Sequence, residues 1–545
     1  MSTTSTRESE LAAFIDKLVA ELAPIELEHN RNYWKLATTG EEQYLAICTK
    51  LDSQMRLMFA RKEPYEFLRG VAAAGPLTDD LLQRQLELLV NAYRAKQLPP
   101  EIIEKQVAIE KKLEATFTNY RAQLDGRAVS DNEIIEVLVG SDDSALRRRA
   151  WEASKQVGTM VEGDLFELVK LRNEGARALG FPNFYSMSMQ LDELDEAELF
   201  ALLDELEKGT QPLWDAYKGD LDARLSKRFG LPVAELAPWH YADPFFQQAP
   251  ASEVNVDPFY EGQNLETLTE RYFSAIGFEI GDLLKLADLY ERPGKNQHAF
   301  CMSVDREAEV RVLCNNKSNE KWMGTMLHEY GHAVYDKYVD RSLPWLLRSS
   351  AHILATEASA MIFGRLSKNP VWMKRYPGAD AAALAAQAGP ISRAVREQLL
   401  VQTRWELVMI HFERALYSDP AQDLRALWTK LVARFQGVTM PAGRNAPDWA
   451  AKIHFSIAPV YYQNYLLGEM LASQLQDHVL EKVLGGGAGK WDGFCGDPRV
   501  GEWFKNEYYA HGRRFNWRVL VTRATGRPLE SRPFVDELAG KADVH

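Results

Sequence analysis

Cysteine is scarce: four residues in 545, at positions Cys48, Cys301, Cys314 and Cys495. So few thiols cannot build a disulfide scaffold, and their scarcity fits a reducing compartment, with the cytoplasm as the expected location. Long apolar runs are missing too. No stretch approaches the roughly 20 residues that span a bilayer, so no membrane partner is expected. Glu8, Glu10, Asp16 and Glu21 interrupt the segment from Met1 to Leu22, which lacks the apolar core of a secretory signal. Positive charge is also short, with 64 Lys and Arg against 77 Asp and Glu and a net charge of −13. That balance argues against a nucleic-acid-binding face. Without a secretory signal, the sequon Asn316-Lys317-Ser318 reads as coincidence.

What is present is globular material in quantity, 46% hydrophobic and 26% charged, enough for a large core. Apolar spacings of three and four run from Arg7 to about Gly230, as in Leu11-Phe14-Ile15-Leu18 and Leu82-Leu86-Leu88-Leu89, and predict helices nearly throughout. Breaks fall at Gly75-Pro76, Pro99-Pro100, Gly126, Gly180 and Gly230, and Ser130 reads as a helix start. Residues 237–260, rich in proline and aromatics, read as an irregular connection. The period then changes: His298–Val304 and Val310–Cys314 read as two strands joined by Asp305–Glu309. Helices return after residue 365. The glycine-rich stretch 484–490 lacks both the first Gly and the closing Ser or Thr of a phosphate loop and reads as a surface loop.

The strongest local signal is His328-Glu329-Tyr330-Gly331-His332, an H-E-x-x-H run within an apolar-periodic segment. On a helix, residues i and i+4 share a face, so both imidazoles reach one tetrahedral Zn²⁺ with Glu329 beside the open position. A third ligand is required. Asp336 and Asp340 follow too closely to fold back, and the next carboxylate is Glu357, in an apolar segment that reads as a second helix after Pro344. A His₂Glu set with one free position is a catalytic arrangement, whereas structural zinc sites are closed by four ligands, usually with cysteine.

A second constellation lies at Lys452-Ile453-His454 and Tyr462-Gln463-Asn464-Tyr465. Tyrosines three apart share a helix face, and Tyr465 O–H and a His454 ring N–H are suitable donors to an oxygen that gains negative charge.

In order and spacing these parts resemble the gluzincin peptidases of the angiotensin-converting enzyme type, related to the oligoendopeptidase F and thimet group. The resemblance runs from Asn32-Tyr33-Trp34 to the C-terminal region. It is strongest over His298–Glu357 and Lys452–Gly468. Gly294–Cys301 and Tyr465-Leu466-Leu467-Gly468 lean towards the oligoendopeptidase group. The resemblance implies a mainly α zincin of two lobes, about 1–240 and 241–545, around a deep cleft, with a small hairpin beside the zinc helix. It implies that one zinc is held by His328, His332 and Glu357, that Glu329 is the general base, and that Tyr465 and His454 stabilise the tetrahedral intermediate. Lys452 and Tyr462 would hold a substrate's C-terminal carboxylate, and His298 and Ala299 would align its backbone.

Three departures stand out. The Gln that helps hold the carboxylate in the converting enzymes has no clear counterpart in Pro238-Trp239-His240-Tyr241. The carboxylate four residues after their zinc Glu is Met361 here, and a chloride-binding Arg is Asn464. The expected function is zinc-dependent hydrolysis of short peptides, most simply by release of C-terminal dipeptides. Alternatives are an oligoendopeptidase without the carboxylate anchor and an inactive zinc-binding scaffold. Oligomeric state is left open.

Overall fold

The computed structural model describes residues 3–250, 254–487 and 489–541. The structure is mainly helical, with two small antiparallel hairpins among the described residues. Helix α1 (Thr3–Thr39) runs through Pro24 without ending, and the three helices up to Arg94 fold back on it. Their shared core contains Leu11, Ile15, Leu18, Leu82, Leu86 and Leu89, the positions that the helical period selects. Leu88 instead faces the main core, which draws side chains from Leu113 to Leu538.

The break at Gly126 is a hairpin rather than a loop between helices. Strands β1 (Ala122–Leu124) and β2 (Arg127–Val129) pair antiparallel across Asp125 and Gly126, both with positive φ. Asp-Gly is among the strongest two-residue hairpin signals. Each strand is only three residues long, too short for a period of two to show. The helix start at Ser130 is as expected, with a reciprocal capping box between Ser130 and Glu133. The long helix α2 (Ser144–Ala178) comes after it and carries buried positions from Arg147 to Ala176.

The second hairpin pairs β3 (Phe300–Ser303) with β4 (Val310–Leu313). It is shorter than the sequence period suggests. His298 and Ala299 precede the strand, and the His298 N–H turns onto Asn296 Oδ1 at 3.0 Å. After the hairpin comes α3 (Glu320–Tyr338), started by the Asn319 side chain. The chain then turns through Pro344 and enters α4 (Ile353–Gly364), whose interior positions are almost all buried. Helix α5 (Ala381–Ser418) packs on α6 (Tyr462–His478), and α6 packs on α4.

The four cysteines are free. The Asn316 amide atoms are buried, so the sequon there is closed to modification. Of the glycine-rich stretch 484–490, Ala488 lies outside the described residues. No described helix is long and apolar enough to cross a membrane.

Candidate metal and peptide site

Close helix packing builds the centre of the site. At Gly331 a Cβ would lie 2.7 Å from the Ala360 Cα and 3.0 Å from the Ser359 carbonyl oxygen, so only glycine lets α3 lie this close to α4. Gly468 plays the same part for α6, where a Cβ would lie 3.3 Å from the Glu357 Cβ. The result brings side chains from three helices to one point.

His328 Nε2 and His332 Nε2 stand 3.7 and 3.9 Å from Glu357 Oε2, and the donor atoms of all three residues lie within 4.8 Å of one another. Donors about 2 Å from a tetrahedral Zn²⁺ sit about 3.3 Å apart, so a small inward movement completes the shell. His332 Nδ1 is 2.7 Å from Thr356 Oγ1, which fixes the ring and leaves Nε2 for a ligand. Thr356 thus supports the histidine from outside the shell, while Met361 lies in the cleft wall. His352, the nearest alternative ligand in sequence, is fully engaged. Its Nδ1 accepts from Leu354 N–H and its Nε2 meets the Asp192 carbonyl at 2.8 Å.

The electrostatics fit a dication. Burial, then the Glu357 carboxylate, push Glu329 up to about 8. Burial, then Glu469, push Glu357 up to about 7. Burial keeps His328 neutral down to about 4, and burial with His328 takes His332 down to about 3. Two buried carboxylates that resist ionisation, facing two neutral imidazoles, form a donor set that a divalent cation would satisfy. A cleft of about 750 Å³ opens on His328 and Glu329, with Thr325, Arg365, Gln398 and Glu469 among its walls.

His454, Tyr461, Tyr462 and Tyr465 form one aromatic group beside this centre. The His454 and Tyr462 rings are 5.0 Å apart, and Tyr465 is 5.0 Å from Tyr461 and 5.7 Å from Tyr462. Burial, then Glu357, raise the Tyr465 hydroxyl, which stays a neutral donor. Burial, then Lys452, push His454 down to about 4. Its Nδ1 is buried without a partner among the described residues. A bare lone pair there costs less than an orphaned N–H, so the proton belongs on Nε2.

Pro238–Tyr241 holds no glutamine, as expected, but one beyond that stretch meets Lys452. Lys452 Nζ donates to Gln247 Oε1 at 2.9 Å, between the rings of Phe245 and Trp405 at 5.2 and 5.1 Å. Gln247 lies beyond Pro238–Tyr241, in a turn organised by Asp243, whose carboxylate accepts the N–H groups of Phe245, Gln247 and Gln248, each at 2.9 Å. Tyr462 shares the Trp405 wall, its hydroxyl 3.4 Å from Trp405 Nε1. Phe245-Phe246-Gln247 carries no helix or strand period. The burial of Asp243 that marks a built turn shows only in the structure. His298 is exposed and lies outside both groups.

A mainly helical fold that sets His-x-x-x-His on one helix against Glu on the next, with a buried glutamate between the histidines, defines the gluzincin-type metallopeptidases. The family model of Peptidase family M3 matches residues 137–540, which include every metal-site and tyrosine-group residue above, and the chain belongs to that family. The model for angiotensin-converting enzyme matches residues 5–237, the N-terminal helices. Carboxypeptidase 1 of Bacillus subtilis (strain 168) is 25% identical over 271 residues, covering 45% of this chain and 52% of that protein. The chain thus matches about half the length of this curated relative.

Proposed function

We propose that this protein is a zinc-dependent peptidase that holds short peptides by their free C-terminus and cleaves close to it. The observation that carries the reading is the Lys452–Gln247 pair, a cation and an amide between aromatic walls beside His454 and the tyrosines. A carboxylate entering there would gain charge-assisted hydrogen bonds from Lys452, with Tyr462 nearby. The name of the Bacillus relative, Carboxypeptidase 1, supports an enzyme directed to the C-terminus.

His328, His332 and Glu357 would hold the zinc, which when bound supplies a Lewis acid and lowers the pKa of water. Glu329 would take the proton of the attacking water and pass it to the leaving amine. Tyr465 O–H and His454 Nε2–H would donate to the scissile carbonyl oxygen as it gains charge. The His298 carbonyl and Ala299, just before the edge strand β3, would align the peptide through main-chain hydrogen bonds.

Release of dipeptides is the first reading. Release of single residues is the second, favoured by the name Carboxypeptidase 1. Mass spectrometry of early products from free-acid peptides of increasing length separates them. Dipeptides from every length support the first, and single residues support the second. Internal fragments would reject C-terminal anchoring and point to an oligoendopeptidase.

A further inference from the structure

Val460, five residues before Tyr465, has φ +55°. This left-handed backbone is costly for a β-branched side chain and persists only where the surroundings impose it. The peptide is gripped on both sides. Val460 N–H donates to Glu413 Oε1 at 2.8 Å, and its carbonyl accepts from Gln463 Nε2 at 2.5 Å. Glu413 comes from α5 and is buried, as is Val460 itself.

A few residues before Val460 the chain meets Arg172 of α2, which is also buried, its side chain 3% exposed. Its Nη1 donates to the Phe455 carbonyl at 2.8 Å and its Nη2 to the Ser456 carbonyl at 2.6 Å. Tyr417 Oη and Glu110 Oε1 hold the same guanidinium at 3.0 and 2.7 Å. Two ionisable side chains from separate helices are therefore committed to backbone groups of a short connection. That connection begins after His454 and ends before Tyr462. Glycine would adopt this φ without cost, so the valine is held here by its surroundings. The strain sits between the two side chains that the reading above makes donors to the reacting carbonyl.

We propose that Arg172 and Glu413 are positioning residues that hold segment 455–460 in a strained path and so fix the aim of His454 and Tyr465. The proposal rests on the donor roles of those two side chains. Glu413 acts through one acceptor oxygen, so Gln can replace it and Leu cannot. Misplacing a catalytic group by an ångström costs roughly 10- to 100-fold in rate.

The test compares Glu413→Leu, Glu413→Gln, Arg172→Lys and Val460→Gly with the wild type, each loaded with zinc. The readouts are kcat, KM, metal content, melting temperature and affinity for a phosphonate peptide that mimics the tetrahedral intermediate. Glu413→Leu should lose kcat and phosphonate affinity in parallel, with KM and zinc unchanged, and Glu413→Gln should restore both. Val460→Gly keeps both grips and a backbone that glycine adopts without strain, so it should hold kcat and phosphonate affinity near the wild type. If Glu413→Leu does not fold, Arg172→Lys, which gives up the paired grip on two carbonyls, decides in its place by the same readouts. Wild-type kcat in well-folded Glu413→Leu or Arg172→Lys overturns the proposal. So does a loss in Glu413→Leu that Gln fails to restore. A Tyr465→Phe enzyme at full kcat would instead overturn the donor assignment, so the two failures are distinguishable.

Discussion

Glu357 is the only charged residue in α4, a largely buried helix. A buried carboxylate must be paired, neutralised or bound to a cation. Its neighbours are two neutral imidazoles, and a metal satisfies all three at once. Glu357→Ala should therefore lose zinc, which elemental analysis would measure. Full zinc occupancy in that variant would mean another third ligand, and His352, tied to Asp192 and Leu354, is already excluded by its bonds. Glu329 differs in kind because it faces the cleft without being needed as a ligand. Glu329→Gln should keep zinc and lose on the order of 10²–10⁴-fold in turnover, the usual worth of a general base. Near-normal turnover would remove Glu329 from that role.

At the scale of elements, the metal helix was legible because H-E-x-x-H states its own geometry: four residues make one face. Glu357 was legible because the sequence offers no other carboxylate between Asp340 and it. The packing that unites them was not. Gly331 lies inside the motif, yet nothing local says that the Ala360 backbone presses against it. Gly331→Ala should push α3 off α4, costing about 1–3 kcal/mol by overpacking and weakening zinc retention during dialysis against a chelator. Unchanged melting and retention would show that the helices adjust. The β1–β2 hairpin escaped because each strand is three residues long, and only Asp125-Gly126 announces it. Gln247 escaped for a different reason. Its place depends on three N–H groups collected by Asp243 and on a lysine 205 residues away.

Across the whole molecule, the turn around Asp243, α5 and the 452–465 region meet at Lys452, through Gln247, Trp405 and Tyr462. Burial pulls the Lys452 ammonium down to about 8, against the opposing pull of Asp243. The charged form, present below that pH, is the one that attracts a carboxylate. KM for a free-acid peptide should accordingly rise as pH climbs through about 8, while KM for the C-terminal amide of the same peptide stays level. A parallel rise for both would assign the titration to another group.

The most direct measurement is the ratio of kcat/KM for one peptide as free acid and as C-terminal amide, in the wild type and in Lys452→Met. A charged hydrogen bond is worth about 1.5–3 kcal/mol, so the wild type should prefer the acid by roughly 10- to 100-fold. Lys452→Met should bring the ratio close to one by losing the acid substrate and sparing the amide. Equal cleavage of both peptides by the wild type, or a preference that survives in Lys452→Met, would contradict the account.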